Sequence, residues 1–349
     1  MDRRYSLTHA VTTRIVVGHR IAAALPDALH SLAPDRILLI HDESLAALAA
    51  DLAAAVGVDA CLPIPGGEAS KRLQVAGELA VRLRQHGATR ASLLMAVGGG
   101  ALTDLVGFTA AIYQRGLRCA FCPTTTLAMC DAAIGGKNGV DHDGLKNQLG
   151  TVLQPSVVFA DIAWLESLPD LAFREGLVEA VKKAAVLDAE NFAALEALAP
   201  QLAVREPMAT LTAVTMAIGM KMAVVCADER EADRRRVLNF GHTIGHALES
   251  LSGETLAHGH AVAMGMLAEC RAAADVVPTA VHDRIAALLH ALRVDTNIPS
   301  ALTDCAALWQ LAQHDKKAAA GRVPLLVPPR LGSAQRVDLD CERLARALA

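Results

Sequence analysis

This sequence predicts an α/β domain followed by a mainly α-helical one, and three observations carry that prediction. Short β-branched and aliphatic runs alternate with amphipathic stretches through the first half, strand-like runs nearly disappear after about Asp161, and the later stretches repeat their apolar residues at helical spacing. Strands are expected at 14–17, 36–41, 60–64, 92–97, 119–122 and 157–160, with helices at 45–56, 72–86 and 103–113 between them. Alternation of this kind favours a mostly parallel sheet with helices on its faces, where ligands bind beyond the carboxyl ends of the strands. Helices are expected next at 173–187, 208–226, 236–250, 259–274 and 279–291, with a short strand at 323–327. The run Leu165-Glu-Ser-Leu-Pro169 marks the boundary, giving domains 1–165 and 166–349. Enrichment in alanine follows from helix propensity, without repeats or low-complexity segments.

A length of 349 residues suits two domains, and a hydrophobic content of 53% is ample for large cores. The net charge of −4 and the small number of aromatic residues (two Trp, two Tyr and six Phe) argue against nucleic acid as a partner. The longest uncharged stretches, such as 207–220, fall short of the ~20 apolar residues of a spanning helix, so no membrane role is expected. The first residues, Met1-Asp2-Arg3-Arg4 with His9 and Arg14 beyond, lack the apolar core of a secretory signal, which predicts a cytoplasmic protein. Eight cysteines, mostly in apolar runs, read as reduced thiols. Cys119-x-x-Cys122 with Cys130 nearby could hold zinc or simply pack in a core; no second pair completes a site.

Several segments could carry chemistry. Val97-Gly-Gly-Gly100-Ala-Leu-Thr-Asp104 ends an apolar strand and opens a helix, so its backbone N–H groups could cradle a phosphate, although a plain tight turn reads the same way and G-x-G-x-x-G is not met. His242 and His246 stand four apart on one helical face in Asn239-Phe-Gly-His242-Thr-Ile-Gly-His246, and Ala257-His258-Gly-His260 follows at the start of the next helix. Such an arrangement suits an open metal site completed by a carboxylate, or a helix with satisfied histidines; Thr243 excludes the protease pattern. The glycine-rich segment from Asp131 to Asn147, with Lys137 and Lys146, fits a mobile anion-binding loop or a solvated one. Glu179 and Lys182 share a helical face, as an ordinary ion pair would. Asp228-Glu-Arg-Glu231 and Arg234-Arg-Arg236 could be a solvated mixed-charge face.

In this order and spacing the pieces resemble the 3-dehydroquinate synthases and, more widely, the sugar phosphate cyclases. The resemblance runs from about Asp42 to Leu326 through Gly98-Gly-Gly-Ala-Leu-Thr-Asp104, Pro123-Thr-Thr125, 131–137, Lys146-Asn147, Gln154-Pro155, 165–169, Gly176-Leu-Val-Glu179 with Lys182, 228–231, 239–246 and His258-Gly259. It implies an NAD-binding α/β domain, a helical domain carrying zinc or cobalt, a cleft between them, and a homodimer in which Arg115 reaches the partner's site. Metal ligands map to Glu179, His242 and His258. NAD contacts map to Asp42, Glu68, Lys71, Gly99, Gly100, Asp104, Thr124, Thr125, Lys146 and Ser167. Catalytic groups map to Lys137, Lys182, Asn239 and His246, and further substrate contacts to Asp131, Lys146, Asn147, Lys221, Arg235, and Lys316 or Lys317.

The implied reaction oxidises a secondary alcohol of a seven-carbon sugar acid phosphate, eliminates phosphate, returns the hydride, and closes the ring by an aldol step. Lys221 and Arg235 match the basic pair that holds the substrate carboxylate, and Asn239 and His246 agree with the dehydroquinate type; valiolone-forming relatives carry Asp and Pro there, and deoxy-inosose-forming relatives a Glu at the first. His260, Leu145, Asn138 and Ser44 depart from the family pattern. Alternatives are a related cyclase of secondary metabolism, such as one using an aminated sugar acid, and a metal-dependent NAD alcohol dehydrogenase of the same two-domain plan. A non-catalytic binding protein is the third class.

Overall fold

The computed structural model describes residues 11–143, 145–253, 255–313 and 322–348. Among the described residues of the first half there are eight strands: β1 (Arg14–Gly18), β2 (Ile37–Asp42), β3 (Ala60–Ile64), β4 (Leu93–Gly98), β5 (Arg118–Pro123), β6 (Lys137–His142), β7 (Leu145–Val152) and β8 (Val157–Asp161). Six of them make one parallel sheet in the order β1-β8-β5-β4-β2-β3. Every residue of β4 and β8 is buried, which explains why these segments read as unbroken apolar runs; a parallel strand is covered on both faces. Between strands lie Ala46–Val56, Leu73–Gln85 and Gly100–Ile112, within three residues of the expected helices.

Register puts the functional edge in place. Asp42 pairs with Ile64 and His41 with Val97, so the carboxyl ends of β3, β2 and β4 lie side by side. β2 and β4 are neighbours although the chain visits β3 between them, which is the strand reversal where open α/β sheets bind ligands.

The expectation of a glycine-rich loop at 131–147 is corrected to regular structure. Residues Ala128–Ala132 form a π-helical turn, and β6 and β7 pair as an antiparallel hairpin. Buried Asn138 pins the hairpin base by donating through Nδ2 to the carbonyls of Gly136 (2.9 Å) and Leu153 (3.0 Å). One side-chain amide thus satisfies two backbone acceptors at once.

The chain divides into two compact units, Met1–Pro123 with Gly136–Asp161, and Thr124–Gly135 with Ile162–Ala349. The second unit is helical, with long helices Asp170–Leu187, Ala189–Ala203, Pro207–Ala227, His242–Leu251, His258–Ala272 and Thr279–Ala291, then Cys305–Gln313, the antiparallel pair Val323–Val327 and Gln335–Leu339, and Cys341–Leu348. Asp188 and Glu206 cap the second and third of these, each accepting two backbone N–H groups of the first turn.

The helix expected over 236–250 is broken instead. A short 3-10 turn, Arg234–Asn239, ends before Gly241, whose φ of 78° is left-handed, and the α-helix starts at His242. Packing fixes the break: a Cβ at Gly265 would stand 2.0 Å from the Gly241 carbonyl oxygen, so the two histidine-bearing helices approach at backbone distance. Pro207–Ala227 is also longer than its apolar run suggested, and by length and composition it could cross a membrane. More than half of its most apolar 18-residue stretch is buried in the helical unit, and Lys221 lies inside that unit, as befits a core helix.

Candidate active site

In the first unit, β4 runs through Gly98 into Gly99, the N-cap of Gly100–Ile112. The free N–H groups and dipole of this helix start face the sheet's ligand edge, where an anion is stabilised. Lys71 is buried, with Nζ 2.7 Å from Asp104 Oδ2 and 3.5 Å from Glu68 Oε1. Burial alone would lower its pKa, but the charges of Asp104 and Glu68 outweigh that and raise it, so the cation is retained. Asp42 ends β2 and accepts from Ser44 N–H (2.9 Å) and Ser44 Oγ (2.6 Å). The structure therefore joins Glu68, Lys71 and Asp104, and sets Asp42, Gly99 and Gly100 on adjacent strand ends.

The hairpin bearing Lys137, Lys146 and Asn147 joins that cluster through Asp141, whose N–H donates to the Lys71 carbonyl at 2.7 Å. Lys137 opens β6 and is exposed, as are Lys146 and Asn147 on β7. Asn147 has a φ of 53° and donates its N–H to Asp141 Oδ1 at 2.7 Å. Arg115 is exposed at the end of the turn Tyr113–Arg115, with φ 70°. Thr124, Thr125 and Ser167 belong to the second unit: Thr124 is buried, Thr125 Oγ1 accepts from Ala128 N–H, and Ser167 is exposed. Lys316 and Lys317 lie outside the described residues.

The second unit gathers the histidines. His242 and His258 each begin a helix, and one ring nitrogen from each of His242, His246 and His258 lies within 4.8 Å of the others. Glu179 Oε1 is 3.7 Å from His242 Nε2 and, though buried, has no hydrogen-bond partner among the described residues. Burial, with Lys182 and the other two imidazoles nearby, holds His242 well below the ordinary histidine range, so the ring is neutral and its lone pair available. Burial works the same way on His258, but a hydrogen bond to Glu249 and the charges of Glu179 and Glu249 outweigh it and raise the pKa. Clustered imidazoles with an orphaned carboxylate oxygen fit a divalent ion of the zinc or cobalt kind.

Beside this centre lies a buried charge cluster. Lys182 Nζ meets Glu179 Oε2 at 2.6 Å and His242 Nε2 at 3.5 Å, with both members of the ion pair inside the fold and not on a solvated helix face. Burial, aided by Lys183, lowers the pKa of Lys182 against the pull of Glu179 and Asp131. Lys221 donates to the Asp131 carbonyl at 2.7 Å and meets its Oδ1 at 3.0 Å. Burial lowers Lys221 to about 8, with Lys183 and Arg235 adding to the effect against the charge of Asp131. Burial would raise Asp131, but Lys183, Lys221 and Lys182 hold it well below the usual carboxylate range. Arg235 is buried and donates to the Glu229 carbonyl at 2.6 Å, and Asn239 Nδ2 donates to Glu231 Oε1 at 3.0 Å. The 228–236 run is thus a scaffold for Arg235 and Asn239, where composition alone allowed a solvated face.

Sequence reasoning missed three carboxylates or cations of this unit. Glu249 Oε2 lies 3.3 Å from His258 Nδ1 and orients that ring. Buried Glu269 caps the helix of His242, and Lys183 joins the charge cluster. The spacing His258 to Glu269 was readable, but nothing in it says that the carboxylate points at another helix. Cys119 and Cys122 are buried in β5, and burial pushes the Cys119 thiol up to about 12, so these are core thiols.

A dinucleotide-type sheet edge and a helical histidine–carboxylate centre define an NAD- and metal-dependent enzyme, a class that includes both cyclases and alcohol dehydrogenases. Family models separate the two: the 3-dehydroquinate synthase N-terminal model matches residues 61–175 and the C-terminal model residues 176–318. The chain belongs to the 3-dehydroquinate synthase family. It is 41% identical over 280 residues to the 3-dehydroquinate synthase of Solibacter usitatus (strain Ellin6076), covering 79% of this chain and 78% of the relative. Among solved structures, 2-epi-5-epi-valiolone synthase from Streptomyces hygroscopicus subsp. jinggangensis 5008, with NAD+ and Zn2+ bound, superposes with a TM-score of 0.89 at 28% identity over 99% of this chain and 98% of that one. A 2-deoxy-scyllo-inosose synthase complexed with carbaglucose-6-phosphate, NAD+ and Co2+ shares the fold, with a TM-score of 0.80 at 23% identity over 97% and 96% of the two chains. The activity is that of an NAD- and metal-dependent, phosphate-eliminating cyclase acting on a small sugar phosphate.

Proposed function

We propose that the substrate is 3-deoxy-arabino-heptulosonate 7-phosphate and the products 3-dehydroquinate and inorganic phosphate. The observation that carries this choice is the pairing of Lys221 with Arg235, both buried, with the arginine's charge adding to the lowering of the Lys221 pKa. Asp131 is shared between Lys221 and Lys183, so a carboxylate bound there would offset the remaining repulsion between Lys221 and Arg235, which a substrate with a neutral group would not do.

Bound NAD supplies reversible hydride acceptance and the divalent ion Lewis acidity toward the alcohol oxygen. Glu179, His242 and His258 would hold the ion, with the free Oε1 of Glu179 as its carboxylate ligand. Asp42, Glu68, Lys71, Gly99, Gly100, Asp104, Thr124, Thr125, Lys146 and Ser167 are assigned to NAD. Lys182 stands between Glu179 and His242, where its ammonium can donate to a sugar oxygen and favour loss of its proton. Lys137 and His246 are assigned to the phosphate, whose departure they would ease by donating to it; the leaving phosphate can itself take the neighbouring carbon-bound proton. Asn239, held by Glu231, orients the sugar hydroxyls together with Asp131 and Asn147. Domain roles follow in the main, with residues 1–165 serving NAD and 166–349 the metal and substrate, while Asp131, Lys137 and Asn147 reach the substrate from the first range and Ser167 serves NAD from the second.

Incubation with the sugar acid phosphate, trace NAD+ and zinc tests this reading. Many phosphates released per NAD+ are expected. Stoichiometric NADH without phosphate would mean a dehydrogenase, and faster turnover of a sugar phosphate that lacks the carboxylate would mean a different cyclase. A homodimer with Arg115 reaching the partner's site, and a cytoplasmic location, belong to the same reading. Exposed Arg115 supports the first, and light scattering with activity rescue in mixed Arg115→Ala and His242→Ala subunits tests it.

A further inference from the structure

Lys183 is completely buried on the helix Asp170–Leu187, one residue beyond Lys182. Its ammonium meets Asp131 Oδ1 at 2.7 Å, Glu179 Oε2 at 3.3 Å, the Cys130 carbonyl at 3.3 Å and the Glu179 carbonyl at 3.4 Å. Four acceptors around three donor protons account fully for the group. A buried ammonium costs several kcal/mol unless it is paired, so its place is set by these two carboxylates.

The effect on Glu179 is asymmetric. Oε2 is held from two sides, by Lys182 at 2.6 Å and Lys183 at 3.3 Å, while Oε1 has no hydrogen-bond partner among the described residues and lies 3.7 Å from His242 Nε2. Lys183 in turn shares Asp131 Oδ1 with Lys221, which links the carboxylate beside the histidines to the cation assigned to the substrate. We propose that Lys183 is a positioning residue of the metal centre, tying Glu179 to Asp131 so that Glu179 presents one oxygen to the ion in a fixed direction. The inference rests on Glu179 being a metal ligand.

Charge and position act in opposite directions here, which makes the role measurable. A cation near a cation repels it, so removing Lys183 would tighten metal binding if charge were all that mattered. Removing a group that orients a ligand loosens metal binding by about 10- to 100-fold. Zinc Kd is therefore measured by chelator competition on the NAD-loaded protein for the wild type, Lys183→Met, Lys183→Arg and Glu179→Gln, with thermal melting alongside. Expected are a Kd raised at least tenfold in Lys183→Met and partly restored in Lys183→Arg. A Kd for Lys183→Met that is unchanged or tighter, while Glu179→Gln loses zinc, overturns the inference. Zinc retained at wild-type affinity by Glu179→Gln overturns instead the ligand assignment beneath it. Should Lys183→Met not fold, Lys183→Gln gives the same readout, and failure of both to fold while Glu179→Gln folds would make Lys183 a structural residue and overturn the proposal.

Discussion

Glu269 accepts the backbone N–H of Thr243 at 3.0 Å, and the same carboxylate accepts Gly241 N–H at 2.8 Å and Ile244 N–H at 3.2 Å. One buried side chain on the helix His258–Ala272 thus closes the first turn of the helix that carries His242 and His246. Glu269→Ala would leave buried N–H groups unsatisfied and is expected to cost at least about 3 kcal/mol. Thermal unfolding and zinc content should fall together, because the turn that loses its cap is the one that begins with His242. A variant melting like the wild type would contradict this.

His242→Ala is expected to remove bound metal and activity together, and zinc retained after dialysis would refute the ligand assignment. His246 sits in the same imidazole cluster, so the structure alone also allows it as a ligand. His246→Ala should keep zinc, while lowering kcat through poorer phosphate departure. Metal analysis of the two purified variants decides between the sets.

The Lys221 pKa of about 8 predicts a pH limb. The ammonium is present below that value and is lost as pH rises through it, so carboxylate binding should weaken on the alkaline side. In the free enzyme, kcat/KM is expected to fall toward a tenfold loss per unit above about pH 8. Lys221→Met should lower the plateau and flatten that limb, and an unchanged alkaline profile would argue against Lys221 as the carboxylate partner.

Asp228 anchors the segment that presents Arg235. Its carboxylate accepts N–H groups from Ala232, Asp233 and Arg235 at 2.9–3.0 Å, and these bonds lower its pKa to about 2. Asp228→Ala is expected to raise KM about tenfold with zinc affinity unchanged, since it loosens the arginine proposed to hold the substrate carboxylate and none of the proposed metal ligands. Steady-state kinetics and chelator titration read the two separately.

Periodicity located the sheet strands and the two longest helices, though not Ala189–Ala203, because burial on both faces, or on one stripe, writes itself directly into residue order. Asn138 shows where that reading stops: a hairpin pinned by one amide bonding two carbonyls carries no periodic signal, and glycine content suggested mobility instead. At the site, His242, His246 and His258 were legible from helical spacing and family motif. Lys183, Glu249 and Glu269 were not, because a charged residue on a helix is ordinarily a solvated one, and only tertiary packing turns these inward.

The segment Thr124–Gly135 belongs to the second unit although the chain returns to the first for β6, β7 and β8. It carries Asp131, the counter-ion of buried Lys183 and Lys221. A fragment beginning at Ile162 would inherit both lysines without their acid, so cutting the gene at that point would not yield a transferable metal-binding cassette. The helical unit is therefore not a module that recombination could move by a single crossover: the stretch encoding Asp131 is interleaved with the unit that carries the parallel sheet, and the two must be transmitted as one block.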